Sequence, residues 1–157
     1  MGVETLTKLT AAQILEGLHA AILAEMQAVA DYKNHARSAP DAEVSEVLAT
    51  LGDVERDHAL RLAERIAALG GSPPSDQPAA QLTGDTLAEW LAHDLEGEQW
   101  AIVEYARMVA GIVDDDETAE LMAELLRDEI RHARWLKSAL RKAVKMQSSR
   151  GTTGHEP

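Results

Sequence analysis

The chain has 157 residues, no cysteine and a formal net charge of −12, which describes one domain large enough to bury a core without disulfide staples. The missing cysteines exclude thiolate zinc, iron–sulfur and rubredoxin-type sites, and the acidic excess argues against a nucleic-acid surface while favouring cations, beyond its ordinary role in solubility. No apolar run approaches the ~20 residues of a membrane span, and the opening MGVETLTKLT has no basic-then-apolar leader, so a soluble, cytoplasmic protein that binds neither nucleic acid nor membrane is expected.

Thr10 followed by Gln13 has the form of a capping box, and apolar residues then recur at Leu18, Ala21, Ile22, Ala28, Val29 and Tyr32, so helix 1 is predicted from about Ala11 to Ala36. Ser38-Ala39-Pro40 breaks it, because the residue before a proline is pushed out of the helical region. Helix 2 follows from about Asp41 to Leu69, with Gly70-Gly71 as a left-handed stop. Residues 70–85, GGSPPSDQPAAQLTGD, are rich in Pro and Gly and have no periodicity. At up to ~3.3 Å per residue they can return the chain along a helix of about 40 Å, as a crossover between helices 2 and 3. Thr86 and Glu89 form a second capping box, and Leu87, Leu91, Ala101, Ile102, Tyr105 and Val109 carry helix 3 to about Gly111. The acidic run Asp114 to Glu117 suits the positive end of helix 4, which is expected to end near Gln147. The bundle is thus assigned to residues 1–147, and SSRGTTGHEP, 148–157, is read as a disordered tail. Short, long and short links between four amphipathic helices, with no strand, describe an all-α four-helix bundle with one long crossover.

Ionisable residues inside the apolar stripes are the ones that packing carries into the core. Helix 1 supplies Glu25; helix 2, Glu55 and His58; helix 3, Glu98, with Asp94 a rival one turn before it; helix 4, Glu129 and His132. An i, i+3 pair such as Glu55/His58 or Glu129/His132 lies on one helix face. All four glutamates sit near the middle of their helices and so meet at one level of the bundle. An internal repeat reinforces this: EMQAVADY from Glu25 matches EQWAIVEY from Glu98, and ERDHALRL from Glu55 matches EIRHARWL from Glu129. The repeat favours Glu98 over Asp94. Four converging carboxylates repel one another in a low-dielectric interior, and two divalent cations would cancel their charge. Carboxylates with one imidazole per ion suit iron or manganese better than zinc. Arg56, Arg61, Arg127, Arg131 and Arg134 fall mainly off the stripes, which leaves the acids without internal counter-charges.

One Glu on each of helices 1 and 3 and Glu-x-x-His on helices 2 and 4 resembles the ferritin-like di-iron carboxylate proteins, most closely bacterioferritins and rubrerythrin-like bundles, from about Thr10 to Gln147. HARS after Tyr32, DLEGE ending at Glu98 and LLRDE ending at Glu129 are further echoes. The resemblance implies a ferritin-like fold with two iron ions per chain, manganese being the other option. It implies that Glu55 and Glu129 bridge the metals, that Glu25 and Glu98 bind terminally, and that His58 and His132 each bind one ion. It also makes Tyr32, ahead of Tyr105, a donor to the ligand carboxylates, with ordinary core packing as the alternative for both. Asp128 is either an orienting partner of a ligand histidine or a plain solvated acid; its counterpart in helix 2 is Val54. Glu16 and His19 also read Glu-x-x-His, but His19 is off the stripe and is expected at the surface, and His35 and His93 are expected to be ordinary.

The activity so implied is oxidation of Fe(II) to Fe(III) by dioxygen or hydrogen peroxide, in iron storage or oxidative protection, by a homo-oligomer. Arg56 stands where a bacterioferritin carries its haem-ligating methionine, so no haem is expected. No short fifth helix is expected after Gln147, which puts a 24-subunit cage in question. Two alternatives stand: a non-storing peroxide reductase or di-manganese bundle, and a metal-free helical interaction scaffold.

Overall fold

A computed structural model describes residues 7–151. It contains four helices, α1 (Ala11–Ser38), α2 (Ala42–Ala68), α3 (Leu87–Gly111) and α4 (Asp116–Gly151), and no strand among the described residues. The first three helices start for local reasons. Thr10 with Gln13 and Thr86 with Glu89 close reciprocal capping boxes, and the Asp41 side chain accepts the Val44 N–H, so Asp41 caps α2 and lies just outside it. Ala39 is extended before Pro40 and ends α1 at Ser38, slightly beyond the expected Ala36. Gly70 has φ 84°, its N–H bonds Ala67 O, and the Gly71 N–H bonds Ile66 O. That pair of bonds is a Schellman stop. α4 passes the end expected at Gln147 and continues to Gly151, so residues 148–151 of the expected tail are helical; 152–157 lie outside the described residues.

α1 packs chiefly on α2 and α3 on α4, with a further contact between α1 and α3. The crossover runs back along α1: Gln77 Nε2 donates to Met26 O, Gln27 Nε2 to Ala79 O, and the Gln81 N–H to Asp31. α3 therefore starts beside the end of α1 and runs antiparallel to it. Two apolar clusters fill the bundle. One gathers Leu18, Ile22, Leu62, Ile66, Met108, Met122 and Leu125; the other gathers Leu48, Leu51, Leu91, Leu136 and Ala143. The polar layer lies between them. Among the described residues no helix is long and apolar enough to cross a membrane.

Candidate metal centre

Glu25, Glu55, His58, Glu98, Glu129 and His132 are all buried, with Glu55 and His58 wholly shielded from solvent. They form two overlapping groups, Glu25/Glu55/His58/Glu129 and Glu55/Glu98/Glu129/His132, whose donor atoms lie within 4.8 Å of one another. Glu55 and Glu129 belong to both. Each of these two offers a different oxygen to each side: His58 Nδ1 lies 3.0 Å from Glu55 Oε2 and 2.9 Å from Glu129 Oε1, while His132 Nδ1 lies 2.8 Å from Glu55 Oε1 and 3.8 Å from Glu129 Oε2. Of the two imidazoles, Glu25 approaches that of His58, at 3.6 Å, and Glu98 that of His132, at 3.4 Å. The two imidazoles are nearly parallel with centroids 6.1 Å apart.

Despite these separations, both oxygens of Glu55, Glu129 Oε1 and the Nδ1 atoms of His58 and His132 have no hydrogen-bond partner. Buried polar atoms are rarely left so, because each forfeits its solvation without a return. Five of them aimed at one space is the pattern of a ligand set, and hard carboxylate oxygens with one imidazole per side fit a pair of iron or manganese ions. The arginines supply no alternative. Arg56 pairs with Asp53, Arg61 with Glu124, and Arg65 with Asp115 and Glu117, none of these acids being in the cluster, and Arg131 pairs with Asp128, outside the six side chains.

Without cations the cluster has to hold protons. Burial, then the charge of Glu25, push Glu55 and Glu129 well above the usual carboxylate range. Burial pulls His58 down, but Glu129, Glu25 and Glu55 outweigh it and raise the imidazole to about 12. Glu98 moves the other way: burial raises it, yet Glu129, His132 and Tyr32 together hold it low. Tyr32 donates to Glu98 and Tyr105 to Glu25, across the α1–α3 contact, and burial followed by those carboxylates keeps both phenols well above their ordinary value. The two tyrosines are equivalent, so the preference for Tyr32 has no counterpart in the geometry.

Residues 15–146 match the model of the ferritin-like domain. The chain belongs to the ferritin-like family. Among its relatives, the bacterioferritin of Desulfovibrio desulfuricans is 27% identical over 126 residues, which cover 77% of this chain and 70% of the relative. Of the solved structures, a metal-free-site, haem-iron bacterioferritin from Rhodobacter capsulatus is 27% identical with a TM-score of 0.76, over 88% of this chain and 89% of its own. The dodecameric thioferritin of Bacteroides fragilis, a bacterioferritin-related protein, has a TM-score of 0.78 at 24% identity, over 90% and 92%, and shows the shared fold.

Around the six side chains of this ferritin-like chain the structure adds partners. Asp128 Oδ2 accepts from His58 Nε2 at 3.0 Å, so the acid on α4 orients the imidazole of α2, as metal-binding histidines usually require. His132 has no such acid, because the equivalent position is Val54. Asp94 is buried but faces away from the cluster, with Oδ2 2.8 Å from His35 Nδ1; burial raises it and His35 opposes the rise. His35, expected to be ordinary, is buried, meets Thr83 through Nε2 and stacks on Trp90. His93 Nε2 lies 3.0 Å from Asp31 Oδ2, and Asp31 also receives Gln27 and the Gln81 N–H. The signal for this second network was the spacing of Gln27, Asp31 and His35, four apart on one edge of α1. Glu16 is exposed and His19 half-buried, and neither joins the centre. A cleft of about 500 Å³ between α1 and α3, floored by Ala24, Ala28, Gly97 and Ala101, reaches Glu25 and Glu98 from outside.

Proposed function

We propose that this chain oxidises Fe(II) to Fe(III) with dioxygen or hydrogen peroxide as oxidant, as part of iron storage or oxidative protection, in a homo-oligomer and without haem. The observation that carries the reading is the double use of Glu55 and Glu129, whose paired oxygens face His58 on one side and His132 on the other. Two Fe(II) substrates held side by side release one electron each, which matches the two-electron reduction of dioxygen to hydrogen peroxide, or of hydrogen peroxide to water, with two protons taken up in either case. Glu25 and Glu98 complete the two ligand groups, one on each side.

The other steps belong to the chain's own groups. An Nε2–H donated to Asp128 leaves Nδ1 of the neutral His58 ring as the ligating lone pair. Tyr32 and Tyr105 hold Glu98 and Glu25 through Oε1 by their phenol hydrogens and so orient both carboxylates. Protons held by His58, Glu55 and Glu129 would leave as cations bind, and the α1–α3 cleft of about 500 Å³ offers a path from outside to Glu25 and Glu98. The scaffold alternative leaves the orphaned atoms of Glu55, Glu129, His58 and His132 unexplained. Arg56, exposed on α2 and paired to Asp53, offers no sulfur to a haem iron, and this supports the haem-free reading.

Loading the full chain with Fe(II) under anaerobic conditions and then admitting air tests the proposal. A ferric absorbance that saturates at two irons per chain, and is abolished in Glu129→Ala, is the expected outcome. A Glu129→Ala chain that oxidises iron as fast as the unaltered one refutes it.

A further inference from the structure

Charge is divided unevenly along the chain. Apart from Glu156, every Asp and Glu precedes Ile130, whereas Arg131, Arg134, Lys137, Arg141, Lys142 and Lys145 all follow Glu129. Those six are exposed on α4. Arg134, Lys137, Arg141 and Lys145 recur at i, i+3, i+7 and i+11, which at ~100° per residue places them within an arc of about 80°. Among the described residues none of these four is in an ion pair. The result is a basic stripe on a chain whose formal charge is −12.

The stripe also leaves the bundle. With the four glutamates marking one level, α4 continues from Glu129 to Gly151, whereas α1 stops sooner after Glu25, at Ser38, and α2 and α3 begin at Ala42 and Leu87, nearer to Glu55 and Glu98 than Gly151 is to Glu129. The helix therefore overhangs its neighbours by about nine residues, or ~14 Å at ~1.5 Å per residue. Past Ala143, the last buried residue among those described, Val144 and Met146 are 48% and 59% exposed.

We propose that the overhanging basic end of α4 docks on the acidic body of a second copy of this chain, and that this contact helps to hold the assembly together. Charge complementarity chooses the occupant: the body that precedes Ile130 carries every described acid, and opposite potentials on two copies steer and fix their register. The apolar pair Val144 and Met146 gives the stripe a protein-like contact to bury. A duplex nucleic acid would meet the same cations but also the acidic remainder of the chain, far from the basic footprint such partners need. The inference does not depend on the metal reading, since none of the stripe residues touches the centre.

The test is the mass of the full chain in solution, by sedimentation velocity, across salt from ~0.05 to ~1 M, where the screening length falls from about 14 Å to about 3 Å. The assembly is expected to dissociate at least ~10-fold more readily at the high end, and a Lys137→Glu/Arg141→Glu/Lys145→Glu chain of unchanged helicity and iron stoichiometry is expected to sediment as a smaller particle already at low salt. A particle of the same mass throughout the salt series overturns the proposal, as does a monomer at every salt. So does retention of the full assembly by the charge-reversed chain when the unaltered one, and not the reversed one, shifts a short DNA duplex or an anionic vesicle.

Discussion

Asp128 makes the centre asymmetric at the level of single side chains. It holds Nε2 of His58, while His132 has Val54 at the equivalent place and meets no acid there. Removing an outer partner of a metal-binding histidine typically lowers affinity about 10- to 100-fold. Asp128→Ala is therefore expected to weaken one of two bound ions by that factor and leave the other near its original affinity, which a calorimetric titration with Mn(II) resolves as a widened gap between two sites. Equal weakening of both would contradict the asymmetric assignment. Tyr32 and Tyr105 make the opposite point, since their bonds to Glu98 and Glu25 mirror one another. Tyr32→Phe and Tyr105→Phe are expected to slow Fe(II) oxidation by similar factors, measured by stopped-flow absorbance; a tenfold disparity between them would show that the two halves are not equivalent. The six ligand candidates were legible in the sequence because each sits on an apolar stripe, where a charged side chain has no inexpensive explanation. Asp31, His35 and His93 were not, because they sit beside the stripe, and the first two become buried and the third half-buried only in the folded bundle.

At the scale of elements, the helix boundaries followed from local chemistry. Gly70 is the residue that the end of α2 depends on, because φ 84° lies in the region that side chains with a Cβ rarely adopt. Gly70→Ala leaves the space around it unobstructed, so its penalty is the left-handed backbone alone, about 1–2 kcal/mol, read from urea denaturation of the metal-free chain. A neutral or stabilising result would contradict the Schellman assignment. The crossover was legible as a span but not as a path. Its composition showed a chain long enough to return to the far end, whereas its course along α1 is set by Gln27, Asp31 and His35, whose partners at Ala79, Gln81 and Thr83 are distant in sequence. The extension of α4 to Gly151 escaped for a related reason. Beyond Leu140 the apolar periodicity fades, and the last turns stand on helix propensity and hydrogen bonds such as Ser148 Oγ to Val144 O rather than on a buried face.

For the whole molecule, the cluster couples stability to pH. Glu55 and Glu129 have raised folded-state values, and His58 is raised from 6.5 to about 12. In each case the folded chain binds more protons than the unfolded one, so the metal-free protein loses stability as pH rises above the unfolded values. His58 acts in this direction throughout the window from about pH 6.5 to 9, and the raised carboxylates act in the same sense above their ordinary values. The melting temperature of the metal-free chain is expected to fall across that window, and the stabilisation by two bound cations to grow, since ions replace the protons. A metal-free melting temperature that rises from pH 6.5 to 9 would contradict the charge account. Storage and non-storing function separate at this scale too: a hollow particle with a mineral core after iron loading supports storage, and a compact dimer of unchanged mass supports the peroxide-reducing or manganese reading.

The dinuclear assignment is tested most directly by anomalous X-ray scattering at the iron edge from crystals of the full chain soaked anaerobically with Fe(II). Two peaks flanked by Glu55 and Glu129, one next to His58 Nδ1 and the other next to His132 Nδ1, are the expected result. A single peak, or iron bound only elsewhere on the acidic surface while these six side chains keep their positions, would contradict it.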